Sequence, residues 1–207
     1  MKIKDNMANI VSVSRIFVAY IAIGLLFVKS TYAYSWAVIL TAVAFAMDGL
    51  DGYIARKYNQ SSEWGSVLDI MGDRIVEASY WIVFAVLGWL NILFPLICVA
   101  RAFTTDSIRS VALSKGMTAF CEKTMQSTSW GKFICESRFM RISYAVAKVA
   151  AFILLIFAYI PNLCSCIALP LRMIAVAFAW IAIIFCVVRA IPVVAESGKL
   201  FEKKQED

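Results

Sequence analysis

MDGLDGYIARKYNQSSEWGSVLDIMGDR, residues 47–74, holds four aspartates in two pairs: Asp48 and Asp51 three apart, Asp69 and Asp73 four apart. Residues three or four apart share one face of a helix. The flanking sequence is apolar, with AVILTAVAFA before the first pair and IVEASYWIVFAVL after the second. This predicts two apolar helices with a turn around residues 57–65. Folded back as an antiparallel pair, they would bring four carboxylates together.

Such a cluster beside hydrocarbon is costly, because like charges repel and desolvation penalises each of them. Bound divalent cations relieve both costs, and an all-oxygen ligand set suits Mg²⁺, Mn²⁺ or Ca²⁺ rather than zinc. Two such ions can clamp a diphosphate and stabilise the attacking and leaving oxygens of a displacement. Gly52 and Gly65 would allow close approach of a nucleotide to the backbone. Arg56 offers a fork of donors for a phosphate. Ordinary helix-end charge accounts for one or two acids, but not for four in helical register among small residues.

The rest of the chain has the composition of a membrane protein. Of 207 residues 62% are hydrophobic and 16% charged, with mean hydropathy +0.78. Soluble domains are nearer half apolar and a quarter charged. Six apolar segments are predicted, at about 8–28, 34–55, 67–88, 91–113, 143–160 and 171–195. Backbone polar groups in lipid must pair internally, so the segments are expected to be helices of an all-α, six-span bundle over residues 1–196. A short charged tail, 197–207, follows. Pro161 and Pro170 are expected to bracket the last connection as helix breakers.

The net charge is +6 with no histidine. The cations gather in the connections on the acidic-motif side, which the positive-inside rule assigns to the cytoplasm together with both termini. They form no solvated basic run, so nucleic acid is not an expected partner. The N-terminal stretch resembles a signal peptide in outline, but Arg15 interrupts its apolar core, and an uncleaved first span is expected. The six cysteines include no CxxC pair. Cys164 and Cys166 share one loop, where redox activity competes with simple packing of small residues.

The motif resembles, position for position, the signature of the CDP-alcohol phosphotransferase family, D-x2-D-G-x2-A-R-x8-G-x3-D-x3-D. Asp48, Asp51, Gly52, Ala55, Arg56, Gly65, Asp69 and Asp73 fill it without substitution. The resemblance implies a six-helix membrane transferase, commonly homodimeric, that uses two Mg²⁺ or Mn²⁺ ions. Asp48, Asp51, Asp69 and Asp73 would be the metal ligands, with Asp73 also the general base. Gly52, Ala55, Arg56 and Gly65 would line the CDP site. Asn9, Ser12 and Arg15 resemble the family's N-x2-T-x2-R opening, with Ser for Thr, which adds Asn9 to the CDP end.

For the acceptor, Arg101, Arg109, Lys115, Gly116 and the later Trp130-Gly131-Lys132 resemble the bacterial phosphatidylglycerophosphate synthases of that family. This implies CDP-diacylglycerol and glycerol 3-phosphate as substrates, a bacterial inner-membrane location, and Arg101, Arg109, Lys132 and Arg141 as phosphate holders. Ala102 stands where those enzymes have Glu, the interval to Lys132 is longer, and Phe133 to Arg141 departs from their sequence. Inositol phosphate, inositol, serine or another alcohol therefore stay open as acceptors. Of other classes, a small membrane transporter would use the acids as an ion path, but they sit near one membrane face rather than mid-bilayer.

Overall fold

The computed structural model describes residues 7–57, 63–114, 134 and 137–198. Within them the chain is all-α, with six long helices. These are α1 (Met7–Leu26), α2 (Thr31–Lys57), α3 (Glu63–Val86), α4 (Leu93–Ser114), α5 (Arg138–Ala158) and α6 (Ser165–Ala195). Each coincides with one predicted apolar segment.

Two of them, over Phe139–Ala158 and Ser165–Ala195, are long and apolar enough to cross a membrane, and Ile10–Leu26 is a shorter apolar run. The apolar runs of α2, α3 and α4 are diluted by the charges that the sequence marks as functional. Large apolar side chains face outward in number, among them Phe17, Tyr32, Trp36, Phe103, Phe139 and Met173. A surface of that kind suits lipid better than water.

One expectation is corrected. Pro170 does not bound α6 but lies inside it, because the helix begins at Ser165. Proline is tolerated near a helix start, where it forfeits one backbone hydrogen bond, here to the Cys166 carbonyl. The break comes earlier, at Pro161 and Asn162. Leu163 N–H donates to the Ile160 carbonyl, and Asn162 has φ 65°. Proline followed by a left-handed Asn is the residue demand of a type II turn.

The chain divides into two compact units. The first comprises Met1–Asn91 and Val149–Ala177, and the second Ile92–Lys148 and Phe178–Asp207. In the first, α1 packs on α2 and α3. Its core is aromatic. Phe152 stacks on Tyr80 at 5.0 Å and meets Trp81 edge-on at 4.8 Å. The Thr41 and Tyr80 hydroxyls, 2.7 Å apart, tie α2 to α3 at depth. A Schellman motif ends α3: Trp89 N–H donates to the Phe84 carbonyl, Gly88 N–H to that of Ala85, and Gly88 takes φ 74°. In the second unit Phe94 of α4 packs on Trp180 of α6 at 4.8 Å between ring centres.

Candidate active site

Arg15 is the hub of the acidic site. It lies midway along α1, and its side chain is only 3% exposed. Nη1 pairs with Asp48 of α2 and stands 3.7 Å from Asp73 Oδ1 of α3. Nη2 is 3.1 Å from Asp69 Oδ1 and donates to the Asp69 carbonyl at 2.9 Å. One planar guanidinium thus draws acids from both halves of the motif to a single point. The carboxylates themselves are between 37% and 55% exposed, so the site is buried behind and open in front.

Gly72 makes this approach possible. A Cβ there would stand 3.1 Å from Arg15 Nη2 and 3.4 Å from Ile16 Cδ1. The glycine between the two α3 acids therefore leaves room for the arginine to pass. Helix register sets the rest. Asp69 and Asp73 are one turn apart on α3, and Asp48 lies two-thirds of the way along α2, opposite them across Arg15.

Asp51, Gly52, Ala55 and Arg56 belong to the last turns of α2, and Asn9 to the first turn of α1. Their side chains are outside the described residues, as are Lys115, Gly116 and the stretch 130–132 with Lys132. Gly65 stands on the first turn of α3.

Among the described residues no group of three or more His, Cys, Asp or Glu is gathered closely enough to hold a metal ion by itself. Asp48, Asp69 and Asp73 meet through Arg15 rather than through one another. Their chemistry nonetheless fits a hard divalent cation: hard carboxylate oxygens, partly open to solvent, with one guanidinium among three acids.

A second charged cluster lies in the other unit. Tyr144 of α5 is buried, and three cations surround its ring: Lys148 Nζ at 5.3 Å, Arg189 Cζ at 5.6 Å and Arg101 Cζ at 5.9 Å. Arg101 is 8% and Lys148 6% exposed. Arg101 Nε is buried without a hydrogen-bond partner among the described residues. Cations gathered on one aromatic face suit an anion. Of the described residues singled out for the acceptor phosphate, Arg101 is the one in this group. Arg109 lies 4.0 Å from Asp106 on its own helix, and Arg141 is exposed on α5. Lys148 and Arg189 went unmarked by sequence reasoning. Their signal was available, since each is a lone cation deep in an apolar segment.

The profile of the CDP-alcohol phosphatidyltransferase family matches residues 5–191. The chain belongs to this family. Several bacterial CDP-diacylglycerol–glycerol-3-phosphate 3-phosphatidyltransferases are similar to it. That of Rickettsia prowazekii is 28% identical over 109 residues, 53% of this chain and 60% of that protein. That of Pseudomonas fluorescens is 36% identical over 73 residues, 35% of this chain and 37% of the relative. A Mycobacterium bovis protein provisionally named a cardiolipin synthase is 32% identical over 111 residues, 54% and 52% of the two chains. The chain thus spans about 60% of the length of the first of these relatives. Three acids of the motif, Asp48, Asp69 and Asp73, are the ones that meet at Arg15.

Proposed function

We propose that this CDP-alcohol phosphatidyltransferase moves the phosphatidyl group of CDP-diacylglycerol to the hydroxyl of a phosphorylated alcohol, with glycerol 3-phosphate the leading acceptor. The observation that carries the reading is the gathering of Asp48, Asp69 and Asp73 on Arg15, within a motif complete at every position.

Asp73 takes the proton from the acceptor hydroxyl, and the oxygen attacks the β-phosphorus of the CDP-lipid. The bond from that phosphorus to the CMP oxygen breaks, releasing CMP and phosphatidylglycerol phosphate. Of the three acids, Asp73 is held farthest from the guanidinium, which favours it as the base. Asp48, Asp51, Asp69 and Asp73 would hold two Mg²⁺ or Mn²⁺ ions, which when bound neutralise diphosphate charge. Asn9, Gly52, Ala55, Arg56 and Gly65 form the CDP site in this reading. The cluster of Arg101, Lys148 and Arg189 supports a phosphate on the acceptor, with Arg109, Lys132 and Arg141 as further candidate holders.

Six helices of 20 to 31 residues are each long enough to span a bilayer. The reading therefore includes a six-span topology in a bacterial inner membrane, with the acidic site and both termini cytoplasmic, and a homodimer.

The test is an acceptor panel. Purified protein receives CDP-diacylglycerol, Mg²⁺ or Mn²⁺, and one alcohol at a time, and CMP and lipid products are measured. Phosphatidylglycerol phosphate is expected with glycerol 3-phosphate, and a chelator should abolish it until the cation is restored. Product with inositol phosphate alone would move the acceptor assignment. No CMP from any acceptor would remove the transferase reading.

A further inference from the structure

Two of the four described cysteines are not core residues. Cys98 and Cys186 are buried, whereas Cys164, just before α6, and Cys166, in its first turn, are exposed. Packing accounts for the first two and leaves the second two unexplained. Their Sγ atoms are 2.7 Å apart.

The loop that carries them is firmly held. Tyr159 is stacked on Trp89 at 4.5 Å and 8°, and Arg172 lies over the Tyr159 ring at 4.2 Å. Arg172 Nε also donates to the Ala158 carbonyl at 3.3 Å. Thr31 Oγ1, at the start of α2, donates to the Pro161 carbonyl at 3.0 Å. The pair is thus placed by the fold rather than by chance encounter of two mobile side chains.

Cys164 immediately precedes α6, and its carbonyl accepts from Ile167 N–H and Ala168 N–H, both at 2.9 Å. Hydrogen bonding from Cys166 and from the amides at this helix start holds the Cys164 thiol below its ordinary range. Amides at a helix start stabilise a thiolate, and the thiolate is the nucleophile of thiol chemistry. Cys166 sits one residue inside the helix, with its sulfur already against that of Cys164. Bringing the two sulfurs to bonding distance, about 2.05 Å, needs less than about 1 Å of movement.

We propose that Cys164 and Cys166 are a redox-active dithiol that exchanges with disulfide-bearing molecules, Cys164 attacking and Cys166 resolving. The Cys164 thiolate attacks one sulfur of the incoming disulfide RSSR. An S–S bond forms to Cys164, and one RS⁻ leaves and takes a proton. The Cys166 sulfur, giving up its proton, then attacks Cys164 Sγ and expels the second RS⁻, which is protonated in turn. Two protein thiols and RSSR become one protein disulfide and two RSH. The site is separate from the acidic one. Thr31 and Asp48 are seventeen residues apart on α2, about 25 Å of helix. The proposal does not depend on the transferase reading.

The full-length protein in detergent, equilibrated with glutathione and glutathione disulfide at ratios from fully reducing to fully oxidising, tests this. After acid quench and alkylation, the peptide spanning residues 164–166 is followed by mass spectrometry. Wild type should accumulate a form lighter by two hydrogens and free of glutathione. C166A should instead trap a glutathione adduct on Cys164, and C164A should form its adduct at least tenfold more slowly at neutral pH. A wild-type peptide that stays reduced in the fully oxidising mixture would overturn the proposal. Equal adduct rates in C164A and C166A would overturn the division of roles.

Discussion

Arg15 joins three carboxylates that come from two other helices, so its removal should be felt in both stability and turnover. Breaking a buried ion pair costs about 3–5 kcal/mol, and partly exposed acids lower that figure to about 1–3 kcal/mol. Arg15→Ala should lose that much in detergent unfolding and should lose activity. Arg15→Lys keeps the charge but not the two-nitrogen fork, and should recover only part of each. Asp73→Asn removes a base without changing shape. Turnover should fall about 10²–10⁴-fold while CDP-lipid binding is retained, as measured by kcat and by equilibrium binding. At the far end of α2 the predicted effect is on pH. Donation from the Cys166 side chain, then from the Cys166 and Ile167 amides, holds the Cys164 thiol below the usual range. Its thiolate therefore persists to lower pH than that of a free cysteine, about 8.5. The other charges of the elements meeting there are Lys29 before α2 and Arg172 of α6, the latter engaged with Tyr159. Iodoacetamide labelling of Cys164 should level off at lower pH in wild type than in C166A, where the largest of the three donors is gone.

Among elements, the helices were legible because each is a run of apolar residues longer than any core strand, and the connections carry Gly88, Pro161 and Asn162 where the backbone turns. The ends were less so. The sixth segment was expected from residue 171, yet α6 starts at Ser165, because a proline can sit near a helix start at the loss of one hydrogen bond. The acidic motif was legible down to which residues share a face. What its spacing did not reveal is that Arg15, known only as part of an opening pattern on α1, would stand among the acids. The aromatic packing that sets α3 against α5 was not legible either, since Tyr80, Trp81, Phe84 and Phe152 have no periodicity linking distant segments. Phe152 is wholly buried among them, so Phe152→Ala should cost about 3–5 kcal/mol. Phe139, on the same helix but 70% exposed, should cost under about 1 kcal/mol in thermal unfolding of the detergent-solubilised protein.

At the scale of the whole molecule, the two charged clusters fall in different compact units and divide the work of the proposed reaction. The unit with Arg15, Asp48, Asp69 and Asp73 has the chemistry for a diphosphate and for proton removal. The unit with Arg101, Lys148 and Arg189 around Tyr144 has cations suited to a phosphate monoester. Neither Lys148 nor Arg189 belongs to a motif, and only folding brings α4, α5 and α6 to one tyrosine, which is why spacing along the chain did not reveal them. The division has a kinetic consequence. Losing a charge-assisted bond to a bound phosphate costs about 1.5–3 kcal/mol, or roughly 10- to 150-fold in affinity. Lys148→Met and Arg189→Met should therefore raise KM for glycerol 3-phosphate by about that factor while changing KM for CDP-diacylglycerol little. Asp73→Asn should do the reverse, lowering kcat with both KM values nearly kept. An equal rise in both KM values for the methionine variants would mean that the cations around Tyr144 hold the fold rather than the acceptor.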